Sequence, residues 1–401
     1  MSRGSAYVLA ISFFLLTALG FVMQLSTNPY SLEAQGNDAM RGFRSHGFWF
    51  TMGLAAAGFL ACTDYHKLQR FAGPLFWICS LFLALCLVPG VGVEKGGASR
   101  WLSIEVPGVG SLRGQPSEVA KIAVVIALAA WMTSFRDYRL EFLRGFFYPL
   151  MIVALPVGLI AAEVDLGTAS LIFLTATGML FIAGSRVVYV VGLILVGAVL
   201  LGSAIKMIPN RTLRITAFIA LHDPEMKILG KDFVADAKEI KDMNLQQREA
   251  LIALGSGGLT GVGIGDSRQK QYYLPLPHTD SVFGILGEEG GLVATLGVIL
   301  LFLAGGLSGV IIAMHAPDRF GKLLGFGLMS LILGQAAINI GVTTGCLPNK
   351  GMPLPFISYG GSNLFSCLSA LGIMLNIYFQ ARRAASASIP LLNRGKLTPA
   401  V

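Results

Sequence analysis

Apolar residues in this chain recur in runs of about 18 to 25, the length at which a helix rising ~1.5 Å per residue spans the hydrocarbon core of a bilayer. This constrains the fold more than any other feature, because a chain in lipid must satisfy its backbone polar groups internally. Ten such segments emerge, at 6–24, 45–62, 72–89, 116–133, 148–162, 166–184, 187–205, 281–314, 323–345 and 357–380. The fifth and sixth are separated only by Glu163, Val164 and Asp165. With 54% hydrophobic and 13% charged residues, about half the charged share of soluble domains, the composition agrees with the pattern. The expectation is an all-α, polytopic integral membrane protein of about ten transmembrane helices, forming a single membrane domain over 1–401. The first segment follows Arg3 and lacks a small-x-small cleavage pattern, so it reads as a retained helix.

Charge sets the expected topology. Lys67 and Arg70, Arg136, Arg139 and Arg144, Arg186, Arg319 and Lys322, and Arg382 and Arg383 all fall in loops on one face. By the positive-inside rule that face is cytoplasmic, and both termini, including the tail 381–401, lie on it. The other face carries the loops 25–44, 90–115, 206–279 and 346–356, of which 206–279 is the one large extracytoplasmic loop. Its middle reads as a polar helix, an amphipathic helix and a glycine turn lying along the membrane surface. The net charge of +8 is accounted for by these loops and does not call for nucleic acid. The five cysteines, all in or beside apolar runs and without a CxxC, read as small lipid- or helix-facing residues with no disulfide framework or metal site.

Polar groups on the extracytoplasmic side are candidates for chemistry. Arg100 and Trp101 fit either an aromatic-belt anchor or a site wall. Gln115 precedes Pro116, and Glu118 and Lys121, spaced i,i+3, share a helix face inside the membrane, as a cavity pair or as a structural ion pair. Asp165 fits a helix cap as well as a site carboxylate. Gln335 and Asn339, at i,i+4, fit interhelical hydrogen bonding. The loop "GCLPNKGMPLPFISYGGSN" is stiffened by prolines and carries Lys350, Ser358, Tyr359 and Ser362. In "YYLPLPHTDSVFGILGEEGG", His278 and Asp280 stand where a proline-broken loop becomes an apolar helix, with Glu288 and Glu289 further in. Asp280 is either the N-cap of that helix or a site carboxylate facing the cations Arg100, Lys121 and Lys350. There is no HExxH, GxSxG or Walker A pattern; "GVGIG" lacks the dinucleotide spacing, and Ser267-x-x-Lys270 is a chance match to a nucleophile motif.

The blocks "QPSEVAK", "DLGTA", "LIALGSGGLTGVGIGDSRQKQYYLPLPHTD", "ILGEEGG" and "NKGMPLPFISYGGSN" resemble the signatures of the SEDS family (shape, elongation, division and sporulation; RodA, FtsW, SpoVE), over about 8–380 and closer to the FtsW division branch. The resemblance implies a peptidoglycan glycosyltransferase that polymerises lipid II, an undecaprenyl-diphosphate-linked disaccharide-pentapeptide, outside the bacterial cytoplasmic membrane. It puts the essential acid on Asp280, the cavity acid and base on Glu118 and Lys121, and the arginine before Trp-Leu on Arg100. Departures are Val164 for the usual proline, with Glu163 before it, Ser281 for an aromatic, and Asn363 for a serine.

On this reading Asp280 is the general base toward an acceptor sugar hydroxyl, and displacement inverts the donor carbon. Arg100, Trp101, Glu118, Lys121, His278, Lys350, Ser358, Tyr359 and Ser362 would bind substrate, supported by Gln115, Asp165, Glu288, Glu289, Gln335 and Asn339. A weakly held divalent cation, Mg2+ or Mn2+, would bridge Asp280 and the diphosphate. The expected partner is a class B penicillin-binding protein transpeptidase, packed on the lipid side of the eighth or ninth span, where "GGLVATLG" and "GFGLMSLILG" offer small residues. Other division or elongation membrane proteins are further partners. A lipid II flippase or a non-catalytic scaffold are the competing classes. The flippase should show an internal inverted repeat, which the sequence lacks.

Overall fold

The computed structural model describes residues 3–33, 39–95, 98–106, 110–207, 209–222, 237–271 and 279–387. The chain opens with α1 (Arg3–Glu33), α2 (Ala39–Cys62), the short α3 (His66–Arg70) and α4 (Ala72–Cys86). An antiparallel sheet follows, β1 (Val93–Lys95), β2 (Ala98–Val106) and β3 (Gly110–Gly114), with β2 central. Then come α5 (Pro116–Ser134), α6 (Tyr148–Ala162), α7 (Leu166–Ile182), α8 (Val187–Met207), α9 (Pro209–His222), α10 (Ala237–Ser256), α11 (Val282–Met314), α12 (Arg319–Thr343) and α13 (Gly361–Ala387).

Each of the ten expected segments is a helix. Six helical segments, 4–27, 116–134, 143–162, 282–314, 319–343 and 361–386, combine the length and apolarity needed to cross a bilayer, and 72–86, 166–182 and 187–203 are shorter apolar helices. This is a multi-pass helical membrane protein. The last helix starts at Gly361 instead of 357, because the proline-rich, Ser-Tyr-Gly-Gly segment before it holds non-helical backbone.

α5 forms the centre of the bundle. It is buried on nearly every face and touches α4, α6, α7, α12 and α13. α13 lies along α2, and α11 lies between α1 and α12. The closeness of α2 and α13 depends on small residues: a Cβ on Gly372 would come within 2.4 Å of the Ala57 carbonyl oxygen.

Four expectations need correction. The 90–115 segment is not a plain loop, because 93–114 pairs into the sheet, with Val93 opposite Trp101 and Ser103 opposite Arg113. α9 occupies the start of the 206–279 segment. Among the described residues, the helical part of its middle is a single helix, α10, packed on α9 and α11. Finally, Ser281 occupies the N-cap position of α11 without a side-chain capping bond, so Asp280 lies just outside the helix and the N-cap alternative left open for it is not met. The five cysteines are free thiols; Cys79, Cys86 and Cys367 are buried, and Cys62 and Cys346 are exposed.

Candidate active site

Asp280 is half-buried, and the elements around it are tied to one another by buried polar groups. Its carboxylate lies against the loop between α12 and α13, where a Cβ on Gly351 would fall 2.6 Å from Oδ2. Only glycine lets that loop pass so close to an acid. The Asp280 carbonyl accepts a hydrogen bond from Asn339 Nδ2 at 2.9 Å, and the same amide donates to the Met352 carbonyl at 2.6 Å. Ser358 Oγ donates to the Thr279 carbonyl at 2.5 Å and accepts from Leu354 N at 2.7 Å. The backbone on both sides of the Asp280 side chain is therefore pinned to α12 and to the 346–360 loop.

That loop is anchored in turn to the centre of the bundle. Gln335 Nε2 donates to the Pro353 carbonyl at 2.8 Å, and Gln335 Oε1 accepts from Lys121 Nζ at 2.5 Å. Lys121 pairs with Glu118 at 2.7 Å, both side chains being 4% exposed. Glu118 Oε2 also accepts from Asn363 Nδ2 at 2.8 Å and Ser366 Oγ at 3.2 Å. A buried ion pair is tolerated when its remaining valences are filled this way. The i,i+3 pair expected from sequence forms, and its surroundings are packed protein: it bridges α5, α12 and α13. Asn363, one of the departures from the family pattern, is a member of this network.

A second arm reaches α7. Asp165 caps that helix, accepting from Thr168 N at 3.2 Å and Thr168 Oγ1 at 2.9 Å, and it also accepts from Gln115 Nε2 at 3.3 Å. Gln115 N donates to Ser362 Oγ at 2.9 Å. Lys350 lies over the first turn of α7, where a Cβ on Gly167 would sit 2.7 Å from its Cε. On β2, Arg100 donates to the Val164 carbonyl at 2.6 Å and the Glu163 carbonyl at 3.3 Å. Val164 has φ 66° and Phe356, in the other loop, also has φ 66°. Two bulky residues in this left-handed region store strain beside the site, where the surrounding contacts hold them. Trp101 follows Arg100 on β2, and Tyr359 stacks on His46 of α2 at 5.9 Å. His278 lies outside the described residues.

Glu288 and Glu289 do not face Asp280. They clamp a loop onto a break in α11. Gly291, with φ 65° and ψ −165°, interrupts the helix, and the backbone of the glycine-rich segment fills the gap. Val262 N donates to Glu288 O at 2.9 Å and Gly263 N to Glu289 O at 3.1 Å; Leu292 N donates to Gly258 O at 2.9 Å and Val293 N to Leu259 O at 3.2 Å. Groups freed by a helix break within a bundle need such partners. The Glu288 carboxylate then accepts from Ser267 Oγ at 2.5 Å, Arg268 N at 2.9 Å and Gln269 N at 3.2 Å. Glu289 pairs with Lys270 at 2.7 Å and accepts from Ser26 Oγ at 2.5 Å. The Ser-x-x-Lys match is thus an anchor for the segment leading toward Asp280.

Arg214 is the site residue that the sequence reading misses. It lies on α9. Partial burial and the nearby Arg100 charge push its guanidinium below the usual range, while Asp280 draws it back up, so it lies within electrostatic reach of both. The available signal was the amphipathic run around Leu213, Ile215 and Phe218, which marks a helix inside the long loop. Arg100, Arg214 and Lys350 therefore share one end of the bundle with Asp280, whereas Lys121 is separated from it by the Gln335 relay. The arrangement can receive a strongly anionic group between cations and present a carboxylate to it.

Comparisons with known proteins converge. The pattern of the Cell cycle protein family FtsW/RodA/SpoVE matches residues 6–383. The chain is 33% identical over 371 residues to a probable peptidoglycan glycosyltransferase FtsW of Geobacter sp. (strain M18), covering 92% of this chain and 96% of that one. It is 35% identical over 370 residues to stage V sporulation protein E of Bacillus subtilis (strain 168), with the same coverage, 92% and 96%. Among solved structures, it is similar to a chain of a peptidoglycan synthase complex described as coordinating polymerization and crosslinking, with TM-score 0.72 and 25% identity over 94% of this chain and 98% of that one. It is also similar to the rod shape determining protein RodA of Thermus thermophilus, with TM-score 0.64 and 25% identity over 95% and 97%.

Proposed function

The chain belongs to the FtsW/RodA/SpoVE family of cell cycle proteins, and from that premise we propose that it is a peptidoglycan glycosyltransferase polymerising lipid II at the extracytoplasmic surface of the bacterial cytoplasmic membrane. The observation that carries this reading is the placement of Asp280: outside the helix cap, with its backbone pinned on both sides, and within reach of the Arg214 charge.

The reaction breaks the bond between an anomeric carbon and a lipid diphosphate, and forms a bond to an acceptor sugar hydroxyl. Asp280 takes the hydroxyl proton as the new bond forms, which is the work of a positioned general base. Arg100, Arg214 and Lys350 hold the negative charge that builds on the departing diphosphate. Attack from the face opposite the leaving group inverts the donor carbon. The Glu118–Lys121 pair and Gln335 act at one remove, by fixing the loop against which Asp280 rests. Among the described residues no three His, Cys, Asp or Glu side chains converge on a cage. A divalent cation, Mg2+ or Mn2+, would be held by Asp280 together with the substrate's diphosphate. When bound, it supplies further neutralisation of the diphosphate.

The partner is a membrane-anchored class B transpeptidase, whose helix packs on α11. Leu292, Val293, Leu296, Leu300 and Leu303 are exposed along one side of that helix, and Gly297 has open space around it. The ninth-span alternative is not supported: Gly325 of α12 faces Ala313, and Gly327 faces Val125 and Met179, so these small residues serve packing within the bundle. The reading is tested by incubating the purified protein with lipid II, alone and with the transpeptidase, with and without a divalent-cation chelator. Glycan strands that shorten or vanish on chelation are expected. Absence of polymer under every condition would refute it.

A further inference from the structure

Glu163 is a buried acid whose carboxyl makes no hydrogen bond among the described residues. It ends α6 and is 1% exposed. The next residue, Val164, holds the left-handed conformation that directs the chain into the Asp165 cap. Arg100 is close enough to neutralise the carboxyl, yet its guanidinium is engaged by the main-chain carbonyls of Glu163 and Val164. An ionised carboxylate in that position would be stranded away from water, at a free-energy cost large enough that the group either takes a cation or stays neutral. The charged and titratable groups facing it are Arg100 from β2, Asp165 from the start of α7 and Cys86 from the end of α4; Arg214 is within electrostatic reach of Arg100. Burial and the Asp165 charge push the Glu163 carboxyl up to about 8, against the pull of Arg100.

We propose that Glu163 is a positioning residue for the substrate's diphosphate: uncharged in its pocket, it leaves the Arg100 guanidinium uncompensated and held by two carbonyls at the site, and when it ionises it claims that guanidinium. This rests on the reading of Arg100 as a diphosphate ligand. It gives the acid that precedes Val164 a consequence: a proton on Glu163 sets how much positive charge Arg100 offers. The sign follows from a raised folded-state value. Below about 8 the proton is on, and the cation is available; above it, the new carboxylate competes with the ligand.

The test is equilibrium binding of undecaprenyl diphosphate to the full-length purified protein on both sides of pH 8. Wild-type affinity should fall about tenfold per pH unit on the alkaline side. Glu163→Gln, which keeps the size and neutrality of the protonated acid, should retain its neutral-pH affinity there. An infrared difference spectrum of the wild-type protein between neutral and alkaline pH should show loss of a protonated-carboxyl band that Glu163→Gln lacks. An equal alkaline fall in both proteins, a flat wild-type profile, no binding at any pH, or no such band at neutral pH would each overturn the proposal. Because binding is read without turnover, a protein that binds in this manner and yet makes no glycan contradicts the proposed function and leaves this inference standing.

Discussion

At the scale of single residues, the site is held by charges and amides that each do two things. Lys121 satisfies Glu118 and also holds Gln335, whose amide holds the Pro353 carbonyl. Removing either charge strands the other in a pocket where both side chains are 4% exposed, and breaking such a pair typically costs about 3–5 kcal/mol. Glu118→Gln and Lys121→Met should therefore each lower the thermal midpoint in detergent, while the double variant falls well short of the sum of the two. Additive losses would show that the pair is not a unit. The i,i+3 spacing made this pair legible in the sequence. The sequence did not reveal that its other ligands come from residues more than 200 positions away, such as Asn363 and Gln335. Asp280 was legible as an acid at a membrane boundary, but whether it caps the helix was not decidable, since aspartate and serine both suit the N-cap position and Ser281 occupies it, without a side-chain capping bond.

At the scale of elements, the break in α11 is the feature on which the rest of the site leans. Four backbone hydrogen bonds from the 258–263 segment repair the gap at Gly291, and two carboxylates fix the residues that follow. Gly261 has φ 82°, and a Cβ there would stand 2.1 Å from the Glu289 carbonyl oxygen. Gly261→Ala should loosen the clamp, with proteolysis within 257–271 as the readout and a stability loss of at least about 1–3 kcal/mol from the strained backbone alone. Unchanged protection of that segment would contradict the clamp. Apolar run length located all ten helical segments, six of which are long and apolar enough to cross a bilayer. The sheet of β1, β2 and β3 was not legible: β1 and β3 have three and five residues, too few to show an alternating pattern, and the strands pair through backbone groups. The role of "GSGGLTGVGIG" was hidden for the same reason, as its contribution is made by main-chain atoms.

At the scale of the whole molecule, the described bundle gathers Arg100, Arg214 and Lys350 at one end with Asp280 and presents an apolar flank along α11. A photocrosslinker at Leu296 or Leu300 should capture a single-span transpeptidase in native membranes, whereas one at Gly327, facing Val125 and Met179, should not. Equal capture from both positions would argue against α11 as the docking face. The central claim is that this bundle exists to hold one carboxylate at the place where a lipid-linked sugar reacts. Its most direct measurement is single-turnover polymerisation of lipid II by Asp280→Asn, with lipid II binding measured on the same preparation. A general base contributes about 10²–10⁴-fold, so the account predicts a loss of at least that size in rate with binding and folding retained, and wild-type turnover by Asp280→Asn would contradict it.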